Sequence, residues 1–340
     1  MSQPGALMAA EIAEQPNVLA GLLAHQAEPL AEVAGAVRAR APRFVLFAAR
    51  GTSDHAALYA KYLVETKLAL PAGLVSPSTM TIYGARPTLD DVLFVAVSQS
   101  GGSPDLVDSL STARACGALT LAVTNSPASP LAQAAELSAD VAAGAERAVA
   151  ATKTYTAELL ALYLVMAGWA GLDTSAAARL PEAAAGTLAH GDRVDAAADR
   201  YRFADRLVTT ARGYSYPTAR EAALKLMETS YLGAQAFSGA DLLHGPMAMV
   251  DAGVPVIAVR TPGAGGHAMD PVIAKLTDAG ADVLLVGPED GLPVATDRID
   301  AELSPILEIL PLQQLAWRLA VNRGSDPDAP RGLRKVTETY

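Results

Sequence analysis

The sequence predicts an α/β fold made of two tandem copies of a doubly wound parallel sheet flanked by helices, and three observations carry that prediction. The first is an internal repeat. "RFVLFAARGTSDHA" begins at Arg43 and "RLVTTARGYSYPTA" begins at Arg206, each an apolar strand that runs into Ala-Arg-Gly-x-Ser. "VLFVAV" from Val92 matches "VPVIAV" from Val254, and "GALTLAV" from Gly117 matches "GADVLLV" from Gly280, all about 163 residues apart. Three strands in register at one spacing mark a duplication. The second observation is the alternation of short, continuous apolar runs with helical stretches such as "SPDLVDSLSTARACG" (103–117) and "AMDPVIAKLTDAG" (268–280). That rhythm belongs to βαβ units whose parallel strands are covered on both faces. The third is composition. The 340 residues are 51% apolar and only 18% charged, with few aromatics, which fits alanine-rich helices packed closely on sheets.

Along the chain, residues 1–34 read as a helical extension and 35–175 as the first domain. Residues 176–196 read as an alanine-rich linker, 197–326 as the second domain and 327–340 as an irregular tail rich in Pro, Gly and charge. A net charge of −10 argues against nucleic acid or an anionic membrane as the main partner. The single cysteine, Cys116, excludes a disulfide framework or a cysteine metal cluster and fits a reducing cytoplasm. The start of the chain lacks the features of a signal peptide, and the most apolar later run, Leu159 to Leu172, is shorter than the roughly 20 residues a membrane span needs. A cytoplasmic protein is expected.

Ligands of such sheets sit beyond the carboxyl ends of the strands. Two hydroxyl-rich turns occupy that position after neighbouring strands: Arg50-Gly51-Thr52-Ser53, and "SQSGGSPD" with Ser98, Gln99, Ser100 and Ser103. Flexible turns of this kind let backbone N–H groups and hydroxyls converge on an anion at a helix start. The same serines also make good helix caps, and the residues alone leave both readings open. Neither turn carries the lysine of a nucleotide P-loop or a GxGxxG fingerprint, and "PGAGGHAMD" (262–270) approaches that fingerprint only weakly.

In "REAALKLMETS" (220–230), Glu221, Lys225 and Glu228 share one helical face. They form either a solvated ion-pair stripe or a general base beside a cation, suited to moving a proton between adjacent carbons. His244 precedes Gly-Pro at a break between elements, placed for acid–base work or for a structural role. The other histidines lack ligand spacing, so no metal site is expected, and no GxSxG elbow offers a nucleophile.

Taken together, these stretches resemble the sugar isomerase (SIS) domain family, in the two-domain form found in the isomerase half of glucosamine-6-phosphate synthase and in stand-alone SIS-type glucosamine-6-phosphate deaminases. The resemblance rests on "EIAEQPNVL" (11–19), "RGTSDHA" (50–56), "SQSGGSPD" (98–105), "AVAATKTYTAEL" (148–159), "REAALKLMETSYLGAQAF" (220–237), "LLHGPMAMV" (242–250) and "GLRKVTETY" (332–340). It implies that Thr52, Ser53, Ser98, Gln99, Ser100 and Ser103 hold phosphate and sugar hydroxyls, with Val149 and Ala150 lining the sugar and Glu221 beside the site. It implies Glu228 as the proton shuttle between C1 and C2, His244 as the ring opener, and Lys225 and Lys335 as the two site lysines. Neither metal nor organic cofactor is implied, and a homodimer with shared active sites is. The chain begins Met1-Ser2 where the synthase has an N-terminal cysteine nucleophile in a glutamine-hydrolysing domain, so glutamine is not expected as the nitrogen source. The expectation is therefore a deaminase that turns glucosamine 6-phosphate and water into fructose 6-phosphate and ammonia. Its alternatives are a galactosamine 6-phosphate enzyme, a phosphate isomerase without deamination, and a non-catalytic sugar-phosphate sensor.

Overall fold

A computed structural model describes residues 3–335 and contains two five-stranded, wholly parallel sheets. The first is built from β1 (Phe44–Ala48), β2 (Ala72–Leu74), β3 (Val92–Val97), β4 (Leu119–Thr124) and β5 (Leu137–Asp140), in the order β2-β1-β3-β4-β5. The second contains β6 (Arg206–Ala211), β7 (Gly233–Ser238), β8 (Pro255–Val259), β9 (Asp282–Gly287) and β10 (Leu292–Pro293), in the order β10-β9-β8-β6-β7. Read from the other edge, that is the order of the first sheet. The duplication visible in the sequence is thus a duplication of topology, and the fold is the α/β arrangement expected.

The strands follow from their residues. β3 and β4 are runs of Val, Leu, Phe, Ala and Thr that are buried almost throughout, as strands covered on both faces must be. In register, Phe44 stands beside Val92, and Leu93 beside Leu119. One face of the first sheet packs Phe94, Ala96 and Ala122 against Leu106, Leu110 and Ala113 of the helix Pro104–Ala115. The second sheet repeats this with Val256 and Ala258 against Val272 and Leu276 of the helix Asp270–Asp278. The edge strands β2 and β10 are only three and two residues long, which leaves little open ladder for another chain to pair with.

The chain forms two compact units, neither of which is one continuous stretch. The first-copy unit comprises Asn17–Glu146, Lys153–Ala178 and the stretch from Arg334; the second-copy unit comprises the stretch through Pro16, Arg147–Thr152 and Arg179–Leu333. The N-terminal region forms helices Ala6–Ala13, Gln15–His25 and Ala27–Arg40. In the second-copy unit the first helix begins against the irregular segment after Arg323. The N–H of Gly5 donates to Asp326 Oδ1 at 2.9 Å, and those of Leu7 and Met8 donate to the two Asp328 oxygens at 2.8 and 2.9 Å. Two carboxylates some 320 residues away in sequence thereby satisfy donors that a helix start leaves open. Among the described residues no helix is long and apolar enough to cross a membrane.

Candidate active site

In the first-copy unit the strand order reverses direction between β1 and β3, the place where sheets of this order open a crevice at their carboxyl ends. Both hydroxyl-rich turns lie there. The chain leaves β1 through Gly51, whose φ of 55° and ψ of −128° suit glycine, and enters the helix Thr52–Leu63. It leaves β3 through Ser98–Ser103 and enters the helix Pro104–Ala115. Gly101 has φ 62°, and a Cβ there would collide with the Ser129 side chain, so the turn demands glycine on both counts.

The second turn is pinned by its own groups. Ser98 Oγ accepts from the Gly101 N–H at 3.2 Å and Ser100 Oγ from the Gly102 N–H at 3.3 Å. The Gln99 carbonyl accepts from the Asn125 N–H at 3.1 Å and from the Thr124 hydroxyl at 3.3 Å. Ser103 stands at the N-cap of its helix but makes no side-chain cap bond, so capping does not account for its hydroxyl. Ser53 and Ser98 are buried, while Thr52, Gln99, Ser100 and Ser103 are half-buried.

Two acidic side chains that were not singled out from the sequence tie these turns down. Asp105, buried in the first turn of its helix, pairs with Arg50 of the first turn at 2.6 Å and so joins the two loops. Glu158, fully buried on the helix Lys153–Ala170, accepts the Ser53 hydroxyl proton at 2.9 Å. Lys335 lies in the same unit. Its ammonium pairs at 2.9 Å with Glu146, whose other oxygen accepts from the Thr154 N–H at 3.1 Å. Tail residues 336–340, which complete the "KVTETY" stretch, lie outside the described residues.

The second-copy unit holds the helix Tyr216–Ser230, which carries Glu221, Lys225 and Glu228. Lys225 Nζ lies 3.3 Å from Glu221 and 2.5 Å from Glu228. Side-chain exposure is 1% for Lys225, 0% for Glu221 and 23% for Glu228, so the trio is no solvated stripe. Burial alone would push the Lys225 ammonium down, but the two carboxylates outweigh it and hold the group above the ordinary lysine range. Lys225 is thus a fixed cation, and Glu228 is the one member of the trio that opens to solvent. His244 is exposed at the C-cap of the helix Gly239–Leu243, followed by Gly245 at φ 125°.

Val149 and Ala150 also belong to the second-copy unit, on a turn organised by Glu11. The buried Glu11 carboxylate accepts from the backbone N–H of Arg147 and, at 3.2 Å, from that of Ala148. This gives a role to the opening "EIAEQP" that its sequence did not disclose.

The second sheet has its own reversal point, between β6 and β8. There Ser215, the counterpart of Ser53, donates to the fully buried Glu308 at 2.8 Å. Thr218 and Thr261 donate to the same carboxylate at 3.0 and 2.5 Å. Burial pushes the Glu308 carboxyl up, and the three hydroxyl donors work against that rise. Arg260 and Thr261 here take the places of Ser98 and Gln99, so the second copy lacks the serine cluster of the first.

The SIS domain profile matches residues 40–167 and 201–305, one match over each sheet, and the chain belongs to the SIS domain family. Among the relatives most similar to it is the glutamine–fructose-6-phosphate aminotransferase (isomerizing) of Thermococcus kodakarensis, 34% identical over 96% of this chain. The chain spans 57% of that relative's length. Of solved structures, a protein from Silicibacter pomeroyi DSS-3 assigned to the phosphosugar isomerases is 36% identical, with a TM-score of 0.86 over 94% of this chain and 99% of its own. The C-terminal domain of glucosamine-fructose-6-phosphate aminotransferase from Francisella tularensis is 26% identical, with a TM-score of 0.80 over 94% and 97%.

Proposed function

We propose that the protein is an amino-sugar-phosphate deaminase that converts glucosamine 6-phosphate and water to fructose 6-phosphate and ammonia by an aldose–ketose isomerisation. The observation that carries this reading is the Glu221–Lys225–Glu228 array, a buried fixed cation beside one carboxylate open to solvent. A base of that kind fits transfer of a proton between adjacent carbons, because the cation stabilises the negative charge that develops. The cluster Ser98, Gln99, Ser100 and Ser103 would take the phosphate through hydroxyls and backbone N–H groups at a helix start.

In this reading His244 assists opening of the ring to the free aldehyde. Glu228 removes the C2 proton and returns it at C1, so the 2-amino aldose becomes a 2-imino ketose. Water adds to the imine carbon, the C–N bond breaks and ammonia leaves. Lys335, held by Glu146, supplies a second cation, and Val149 and Ala150 line the sugar. We further propose a homodimer with shared active sites.

A second reading is favoured by the aminotransferase relatives: the same proton transfer run as the isomerising half of an amination of fructose 6-phosphate. The two are separated by incubating the purified protein with glucosamine 6-phosphate, and in parallel with galactosamine 6-phosphate, while following ammonia and ketose phosphate. Stoichiometric release of both from the gluco substrate is expected. Release from the galacto substrate alone would reassign the sugar. Absence of ammonia with either, in the presence of aldose–ketose interconversion, would leave an isomerase and sink the deaminase.

A further inference from the structure

The serine-rich turn that reads as an anion cradle stands next to a buried anion of the protein's own. Asp105 lies two residues past Ser103, in the first turn of the helix Pro104–Ala115, and only 4% of its side chain is exposed. Neither of its carboxylate oxygens accepts a hydrogen bond. Among the described residues its one ion-pair partner is Arg50, whose Nη2 lies 2.6 Å away and whose side chain is 45% exposed. The same guanidinium donates to the Ala49 carbonyl at 3.3 Å, which holds it at the start of the first turn.

An acid in the first turn of a helix occupies the same positive helix start that an incoming anion needs. Left bare, a buried carboxylate so close to the turn would repel a phosphate monoester, which is largely a dianion near neutral pH. Arg50 cancels that charge. The second copy lacks this arrangement. At its helix start Asp270 pairs with Arg260 at 2.7 Å, but the two side chains are 49% and 38% exposed, where water and salt screen them, and no serine cluster precedes them. Resting on the sugar-phosphate reading above, we infer that Arg50 sets the crevice's selectivity for anionic ligands by neutralising Asp105, and not by gripping the phosphate. With the pair in balance, hydroxyls and backbone N–H groups suffice to hold a dianion at this turn.

The test is calorimetric binding of two probes, fructose 6-phosphate and inorganic phosphate, to the full chain and three variants. The formal charge of the pair is zero in the parent, negative in Arg50→Met, positive in Asp105→Asn and zero again in Arg50→Met/Asp105→Asn. Affinity for both probes should follow that charge. Arg50→Met is expected to bind about tenfold or more weakly, Asp105→Asn about two- to fivefold more tightly, and the double variant within about threefold of the parent. The differences should shrink as salt is raised, a response that a purely structural role would not give. A double variant as weak as Arg50→Met would mean that Arg50 grips the phosphate itself. Asp105→Asn as weak as Arg50→Met would mean that the pair only ties the loops together. Either result overturns the inference and leaves the sugar-phosphate reading intact. If Arg50→Met does not fold, because its buried carboxylate has lost its partner, the other two variants decide: Asp105→Asn must bind more tightly than the parent, and the double variant must lose no more than about threefold. If the parent binds neither probe, the sugar-phosphate reading falls and takes this inference with it.

Discussion

At the scale of single residues, burial separates the helical trio into distinct roles. Glu221 and Lys225 are closed off from water, whereas Glu228 keeps one side open. Glu228→Gln is expected to lower kcat by about 10²- to 10⁴-fold with KM little changed, the range for removal of a general base, and steady-state ammonia release checks it. Lys225→Met is a change of another kind. It strips the ammonium from a buried carboxylate and is expected to cost about 3–5 kcal/mol in chemical denaturation. The pH dependence follows from the direction of the shift. A lysine held above its ordinary 10.5 contributes stability that is complete below that value and is lost as pH rises through the higher folded value. The parent should therefore lose stability in strong alkali by a step that Lys225→Met lacks, measurable as a difference in urea midpoints across that window. A stripe of exposed charges would show neither the cost nor the step.

At the scale of elements, the strands and the two turns were legible because their signals are local. An apolar run ending in Arg-Gly-x-Ser needs no distant partner to be read as a strand, a turn and a helix start. Two of the edge strands were less visible: β2 is three residues and β10 two, too short for any periodicity to register. The supporting carboxylates Glu11, Asp105, Glu146 and Glu158 escaped notice for a different reason. Each looks like an ordinary helix or loop acid until folding brings it to the backbone N–H, guanidinium, ammonium or hydroxyl it serves. The first helix, Ala6–Ala13, shows the same dependence. It starts after Gly5 without a capping side chain of its own, and Asp328 substitutes for one. Asp328→Ala is expected to destabilise the protein by about 1 kcal/mol and lower its melting temperature by about 1–2 °C in calorimetry.

At the scale of the whole molecule, the duplication was the most legible feature, since three strand matches at one spacing define two sheets of one topology. Which stretches make up each compact unit was not legible, because a sequence is read consecutively and these units are not. The second-copy unit includes Met8, Ile12 and Gln15, all buried, and the Gln15 side chain donates to Gln313 at 2.8 Å. A fragment of residues 179–333 would carry the second sheet without them. Each lost apolar side chain forfeits roughly 1.5–3 kcal/mol, so the fragment is expected to lack the cooperative thermal transition of the full chain by circular dichroism. A fragment that melts as sharply and as high as the full chain would contradict that expectation. The carboxylate clasp at Gly5, Leu7 and Met8 also has a consequence in time. Its partners Asp326 and Asp328 are synthesised some 320 residues later. At about 5–20 residues per second, the ribosome takes roughly 16–64 s to deliver them. For that interval the first helix waits with its start uncapped, and the second-copy unit closes only as translation nears residue 328.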